Sequence, residues 1–298
     1  MRYSFLEFLK MNEVEYKERM FIKEISPIRI GGIAKVIVYP DSFSKMILTV
    51  NFLVENKITY KVVGRISNIL FRDEDIGLVL IKTDKLKSKE IHNNRISLFC
   101  GDTLYENIVT LAKEGYGGIS ELSGIPGSIG GMIAGNAGAF GKSISDVLSS
   151  AEIYIPSEGK VTIIENENMM FEYRNSIIKQ SDFIILRAEI TLKTSDYRQT
   201  LEEISRFKKM RCNTQPTGYP SLGSVFKRPN GRYAAKLIED AGLKGASCGD
   251  MMVSEKHAGF FVNTGAATSR DFRMLIEKVK NAVYEKYGIK LEEEIEIL

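Results

Sequence analysis

Between Leu122 and Gly141 the chain runs for twenty residues without a charge, and seven of them are glycine. That length could span a bilayer as a helix. The composition argues otherwise. Each glycine costs a helix about 1 kcal/mol relative to alanine, and Ser123, Pro126, Ser128 and Asn136 lie in the same run. Glycine reaches positive φ and leaves backbone N–H groups uncovered. The run SGIPGSIGGMIAGNAGAFG (residues 123–141) therefore reads as turns that approach a ligand closely. Successive uncovered N–H groups would suit a diphosphate. Tight turns in closely packed backbone would use the same glycines. Two familiar phosphate motifs are missing: there is no GxxxxGK followed by Ser or Thr, and no GxGxxG in a βαβ unit.

The chain has 298 residues, enough for about two domains. Hydrophobic residues make up 44% and charged residues 27%, which excludes a disordered or fibrous chain. Lys and Arg number 41 against 38 Asp and Glu, a net charge of +3. So even a balance gives no argument for a nucleic acid or a membrane surface as partner. The cysteines, Cys100, Cys212 and Cys248, are odd in number and form no CxxC. A disulfide framework or a structural zinc site is not expected. Residues 1–10 lack the apolar core of a signal peptide, which predicts a cytoplasmic protein.

The rest of the chain predicts an α+β protein. Residues 34–39, 60–64, 76–82, 95–100, 151–155 and 183–192 read as strands. Residues 44–56 and 104–113 read as helices. A charged helix over 197–211 should turn Leu201, Ile204 and Phe207 inward. The loop with Pro216, Gly218 and Pro220 reads as a domain boundary. A helix over 232–241 should end with Gly242 at C′. Thr268 and Asp271 form a capping box for a helix whose inner face is Phe272, Leu275, Ile276, Val279 and Val283. Residues 291–298 alternate as a strand would, placing Glu292, Glu294 and Glu296 on one face.

Further segments could carry chemistry. Gly64-Arg-Ile-Ser-Asn68 follows a strand and could contact a phosphate, or form an ordinary turn capped by Asn68. Ser224 lies in PSLGSVFKRP ahead of Lys227 and Arg228, a pairing that suits a phosphorylated substrate. A triad serine would need a partnered histidine, and neither His92 nor His257 offers one. Arg174 in YRNS could clamp a carboxylate with two parallel bonds. Each of these residues, read alone, also fits a turn hydroxyl, a solvated cation or an exposed acidic tail. His257 reads as a structural hydrogen-bonding residue.

In order along the chain, GG-x-A near residue 31, GRISN, SGIPGSIGG…NAGAFG, YRNS, PSLGSVFKRP, KLIEDAGLKG, VSEKHAGFFVN and LEEEI closely resemble the UDP-N-acetylenolpyruvoylglucosamine reductase family. The resemblance runs from about residue 25 to residue 297. It is to the shorter type, which lacks an inserted tyrosine-bearing loop. It implies two FAD-binding subdomains of the vanillyl-alcohol-oxidase-like fold, residues 1–82 and 83–205. A UDP-sugar-binding domain would follow over 206–287, with 288–298 returning to the active site. It implies FAD and NADPH as cofactors and UDP-N-acetylglucosamine enolpyruvate as substrate, in peptidoglycan precursor synthesis. By motif position, Gly64, Arg65, Ser67, Asn68, Ser123, Gly124, Ile125, Pro126, Gly127, Ser128, Gly130, Gly131, Asn136, Ala137, Gly138 and Arg211 would hold FAD. Lys227 and Arg228 would meet the substrate. Arg174 and a protonated Glu294 would polarise its carboxylate, and Ser224 would donate the proton. The chain departs from the family pattern in three places: Ile66 stands where a second glycine is usual, Gly259 where asparagine is usual, and Ile33 where proline is common. Ile66 bears on FAD affinity, because a β-branched side chain crowds a backbone–phosphate contact. A flavin-poor paralog that binds a nucleotide sugar is the alternative. A monomer is expected, since neither a long heptad pattern nor a large apolar surface pattern is visible.

Overall fold

The computed structural model describes residues 4–298. Residues 1–3, which open the stretch expected to lack a signal peptide, lie outside the described residues. The chain divides into two compact units. The first comprises Met1–Glu18, Val36–Arg65 and Gly77–Lys209; the second comprises Arg19–Lys35, Ile66–Ile76 and Met210–Leu298. Among the described residues no helix is long and apolar enough to cross a membrane. In place of a span, residues 122–141 hold a 3-10 turn at Ser120–Leu122, a short helix at Ile129–Ala134 and a two-residue strand at Gly138–Ala139.

The first unit is built around an antiparallel five-stranded sheet. Its order is Lys160–Glu165, Leu148–Ile155, Ile184–Thr191, Arg95–Phe99, Lys89–His92. A four-stranded sheet orders Glu15–Phe21, Ile33–Tyr39, Ile76–Lys82 and Tyr60–Val63, and its last two strands run parallel. The helices are α1 (Phe5–Met11), α2 (Phe43–Glu55), α3 (Leu104–Lys113), α4 (Ile129–Ala134) and α5 (Tyr197–Thr214). Periodicity explains them. On α3, Leu104, Ile108, Leu111 and Ala112 are buried, and Thr103 caps the first turn through the Glu106 N–H. α5 runs to Thr214, three residues past the expected end. Of its predicted inner face Phe207 is buried, whereas Leu201 and Ile204 are half-buried, because the helix lies at the surface.

The second unit packs a four-stranded sheet, ordered Ser221–Ser224, Phe260–Asn263, Met251–Val253 and Ser247–Cys248, against helices. These are α6 (Ala234–Asp240) and α7 (Ser269–Tyr287). All five expected residues of the α7 inner face are buried, and the Thr268–Asp271 capping box is present. Gly242, just past α6, has φ +75° and occupies the left-handed C′ position. The tail differs from expectation. Within 291–298 only Glu296–Ile297 is a strand, pairing in parallel with Ile69–Leu70. Leu291 and Ile295 are its buried residues. A bend at Glu294–Ile295 separates this strand from the isolated bridge between Glu293 and Phe226, so Glu292, Glu294 and Glu296 do not share the face of one continuous strand.

Candidate active site

In the first unit, two of the predicted loops meet. Gly64 ends the strand Tyr60–Val63, and a Cβ added to it would lie 2.0 Å from Ser128 Oγ. Only glycine permits that approach. Ser128 caps α4 by accepting the Gly131 N–H. The glycine-rich run is tied down where Ile129 N donates to Asp102 O at 2.7 Å and Gly130 N to Cys100 O at 3.0 Å. Burial pushes the Cys100 thiol up to about 12, so it packs as a small apolar group. Among the described residues, no acceptor takes the N–H groups of Arg65, Gly127 or Ser128. Thr83 Oγ1, buried within 4 Å of the Gly64 approach, has no partner either. A cradle closed to side chains, with uncovered donors and an orphaned hydroxyl, fits the diphosphate of a dinucleotide.

Other members of the predicted set are engaged within the protein. The Ser123 hydroxyl donates to Ser120 O at 2.7 Å and is buried. The Arg65 guanidinium pairs with Glu106, which also holds Lys87, each at 2.7 Å. Gly124, Ile125 and Gly127 are half-buried, and Pro126 is exposed. Asn136, at φ +38°, donates to Glu172 O and accepts from Ser145 N. Ala137 N donates to Met132 O. Gly138 is crowded, since a Cβ there would sit 2.7 Å from Lys142 O.

Arg174 belongs to the same unit. It occupies a tight turn in which Glu172 and Asn175 exchange both backbone hydrogen bonds, and its own φ is +59°. Its guanidinium donates to Asn136 O at 3.4 Å and Gly138 O at 3.2 Å and lies over the Tyr173 ring. Lys179 Nζ donates to Arg174 O at 3.0 Å. A left-handed arginine held from both ends is oriented by its surroundings rather than free to swing.

In the second unit, three segments distant in sequence interlock. Glu294 N donates to Val225 O at 2.7 Å, and Lys227 N to Glu292 O at 2.8 Å. Asn68 Nδ2 donates to Glu294 O at 3.0 Å, and Glu296 N to Asn68 O at 2.9 Å. These bonds bring Ser67, Asn68, Ser224, Lys227 and Glu294 into one neighbourhood. Ser224 ends its strand after Gly223, whose φ of +81° needs a glycine. The Lys227 ammonium pairs closely with Glu292, and Arg228 stacks 4.6 Å over Tyr233. Arg211 sits on α5 beside Gln215, and burial lowers its pKa. His257 accepts the Gly259 N–H at Nδ1, and Gly259 O accepts from Val225 N, which makes it the structural residue expected.

Sequence reading missed two participants. Lys82 ends an apolar strand, yet it is buried and donates to Gly64 O at 3.1 Å. Lys179 supports the Arg174 turn. A lysine closing a β-branched run is a faint signal, since strand ends are commonly charged.

Residues 34–165 match the family model described as the FAD binding domain. A berberine bridge enzyme variant, covering 65% of this chain and 44% of its own, shares the fold with a TM-score of 0.51 at 15% identity. The chain is a flavoprotein of α+β fold with an FAD-binding module of the vanillyl-alcohol-oxidase-like type, and FAD is its cofactor. Residues 215–298 match the C-terminal domain of UDP-N-acetylenolpyruvoylglucosamine reductase. The enzyme of that name from Caldicellulosiruptor bescii is 40% identical over 99% of this chain and 94% of its own. The one from Clostridioides difficile is 37% identical over 99% and 96%. The crystal structure of the Thermus caldophilus enzyme superposes with a TM-score of 0.81 at 27% identity, covering 95% of this chain and 98% of that one. The chain belongs to the UDP-N-acetylenolpyruvoylglucosamine reductase family.

Proposed function

We propose that this protein reduces UDP-N-acetylglucosamine enolpyruvate to UDP-N-acetylmuramate at the expense of NADPH, acting in the cytoplasm as a monomer. FAD, when bound, supplies the hydride chemistry that links NADPH oxidation to reduction of the enolpyruvyl group. The loops at Gly64–Asn68 and Ser123–Gly138, with Arg211, would hold it.

The remaining work falls to side chains. Reduction at the methylene carbon leaves negative charge on the α-carbon and in the adjacent carboxylate. Donors aimed at that carboxylate lower the barrier. Arg174 binds it through a forked pair of bonds, and Glu294 in its protonated form donates a further one. Ser224 gives its hydroxyl proton to the α-carbon. Lys227 and Arg228 neutralise the substrate's diphosphate. The observation that carries this reading is the bond from Glu294 N to Val225 O, one residue from Ser224. It joins the two proposed donors of the second unit, although they are far apart in sequence.

Half-reactions test it. In Ser224→Ala, NADPH should still bleach the flavin band. Reoxidation by the enolpyruvyl substrate should slow by about a hundredfold or more. Unchanged reoxidation would remove Ser224 from the mechanism. A colourless protein that FAD cannot reconstitute would favour the flavin-poor nucleotide-sugar binder instead.

A further inference from the structure

We infer that Lys82, a buried ammonium behind the first cofactor loop, is a positioning residue that orients the Gly64–Arg65 peptide for a nucleoside diphosphate. This deepens the cofactor reading above and rests on it. Lys82 is 4% exposed. Its Nζ donates to Gly64 O at 3.1 Å and pairs with Asp84 Oδ2 at 2.8 Å. A buried ammonium is costly unless paired and hydrogen-bonded. Its survival at this spot calls for a reason.

The peptide plane supplies one. In a trans peptide the C=O and the following N–H point in opposite directions. Drawing Gly64 O toward the buried Lys82 therefore turns the Arg65 N–H the other way. That N–H has no acceptor among the described residues. Beside it lie the Ser128 approach and the unpartnered Thr83 hydroxyl. The lysine also places a positive charge behind a backbone cradle, where an anion would feel it with little screening. Asp84 offsets part of that charge. The arrangement thus has two separable parts: a hydrogen bond that aims the peptide, and a charge pair that sets the local potential.

The chemistry recognised is an adenosine diphosphate, which the ADP half of FAD and free ADP both present, whereas UDP probes the separate substrate contacts proposed at Lys227 and Arg228. The test is titration of purified apoprotein with FAD, ADP, UDP and riboflavin, read by flavin fluorescence and calorimetry, with circular dichroism to verify folding. Lys82→Met should weaken FAD and ADP by about tenfold or more, as expected for a lost charge-assisted contact. Riboflavin, which lacks phosphates, should be unaffected. Lys82→Arg, which keeps a donor and the charge, should recover part of the loss. Asp84→Asn should tighten ADP, and this variant decides the matter if Lys82→Met fails to fold. FAD should displace ADP, whereas UDP binding should not respond to either substitution. If wild type binds FAD and ADP while Lys82→Met and Asp84→Asn bind ADP unchanged, the inference fails alone. An equal loss for riboflavin, or a loss confined to UDP, overturns it too. A wild type that binds neither FAD nor ADP overturns the cofactor reading and this inference together.

Discussion

At Ile66 the backbone and the side chain pull in opposite directions. Its φ is +56°, a left-handed value that is an outlier for a β-branched residue. Holding a non-glycine residue there costs about 1–2 kcal/mol. The side chain is 3% exposed, and its burial offsets this by roughly 1.5–3 kcal/mol. The departure from glycine thus keeps the left-handed turn and adds an apolar anchor. Comparison of two truncations isolates the strain. Alanine ordinarily stabilises over glycine, but here Ile66→Gly should be more stable than Ile66→Ala by about 1 kcal/mol in urea unfolding. The ordinary ranking would show that the position is not left-handed. At Gly64 the constraint is space. Gly64→Ala should lower the melting temperature, and Ser128→Gly in the same chain should recover more than additivity allows, since the added methyl meets Ser128 Oγ. Strictly additive effects would argue against that contact.

Elements in the second unit depend on their ends. α7 starts with a reciprocal Thr268–Asp271 box, and Asp73 accepts the N–H groups of Ser269 and Arg270. Thr268→Ala should cost about 1 kcal/mol of unfolding free energy. A change near zero would mean that Asp73 suffices alone. The turn between Met251–Val253 and Phe260–Asn263 relies on His257 Nδ1 as an acceptor. Burial foremost, with a lesser push from the charge of Lys244, holds the imidazole below its ordinary value of 6.5, against the opposing pulls of a backbone hydrogen bond at His257 and of Glu239. The fold therefore favours the neutral ring. That stability is complete above the unfolded value and disappears as pH falls through the folded one. Melting temperature should drop as pH falls below about 6.5, and drop less steeply in His257→Gln. Equal slopes in the two proteins would assign the pH dependence elsewhere.

Across the whole molecule, each core is assembled from separated stretches of chain. The second unit's core joins Ile28, Ile30 and Leu70 to Leu222, Phe261, Phe272 and Ile276. A chain of residues 210–298 alone would lack the first three and leave their neighbours facing water. It should bind a hydrophobic dye and melt without a cooperative transition, whereas the full chain should melt cooperatively; a sharp transition in the fragment would show that the long segment folds unaided. This division also explains what sequence could reveal. The strand Ile76–Lys82, the helix Leu104–Lys113, the α7 box and the glycine-rich stretch follow from neighbours within a few residues, and periodicity and capping exposed them. The resemblance likewise reached the family, because its motifs are local strings in a fixed order. Strands of two to four residues, such as Ser247–Cys248 and Met251–Val253, carry too few side chains to show a period. The tail looked like a continuous strand, yet its pairing stops at two residues, because the register of Asn68 and Val225 decides which of its N–H groups find acceptors. Only folding could bury Lys82 against Gly64, since a charge is buried or exposed according to partners remote in the chain. Local chemistry was therefore settled by the order of residues, and the burial and aim of the working groups by contacts that the order alone does not display.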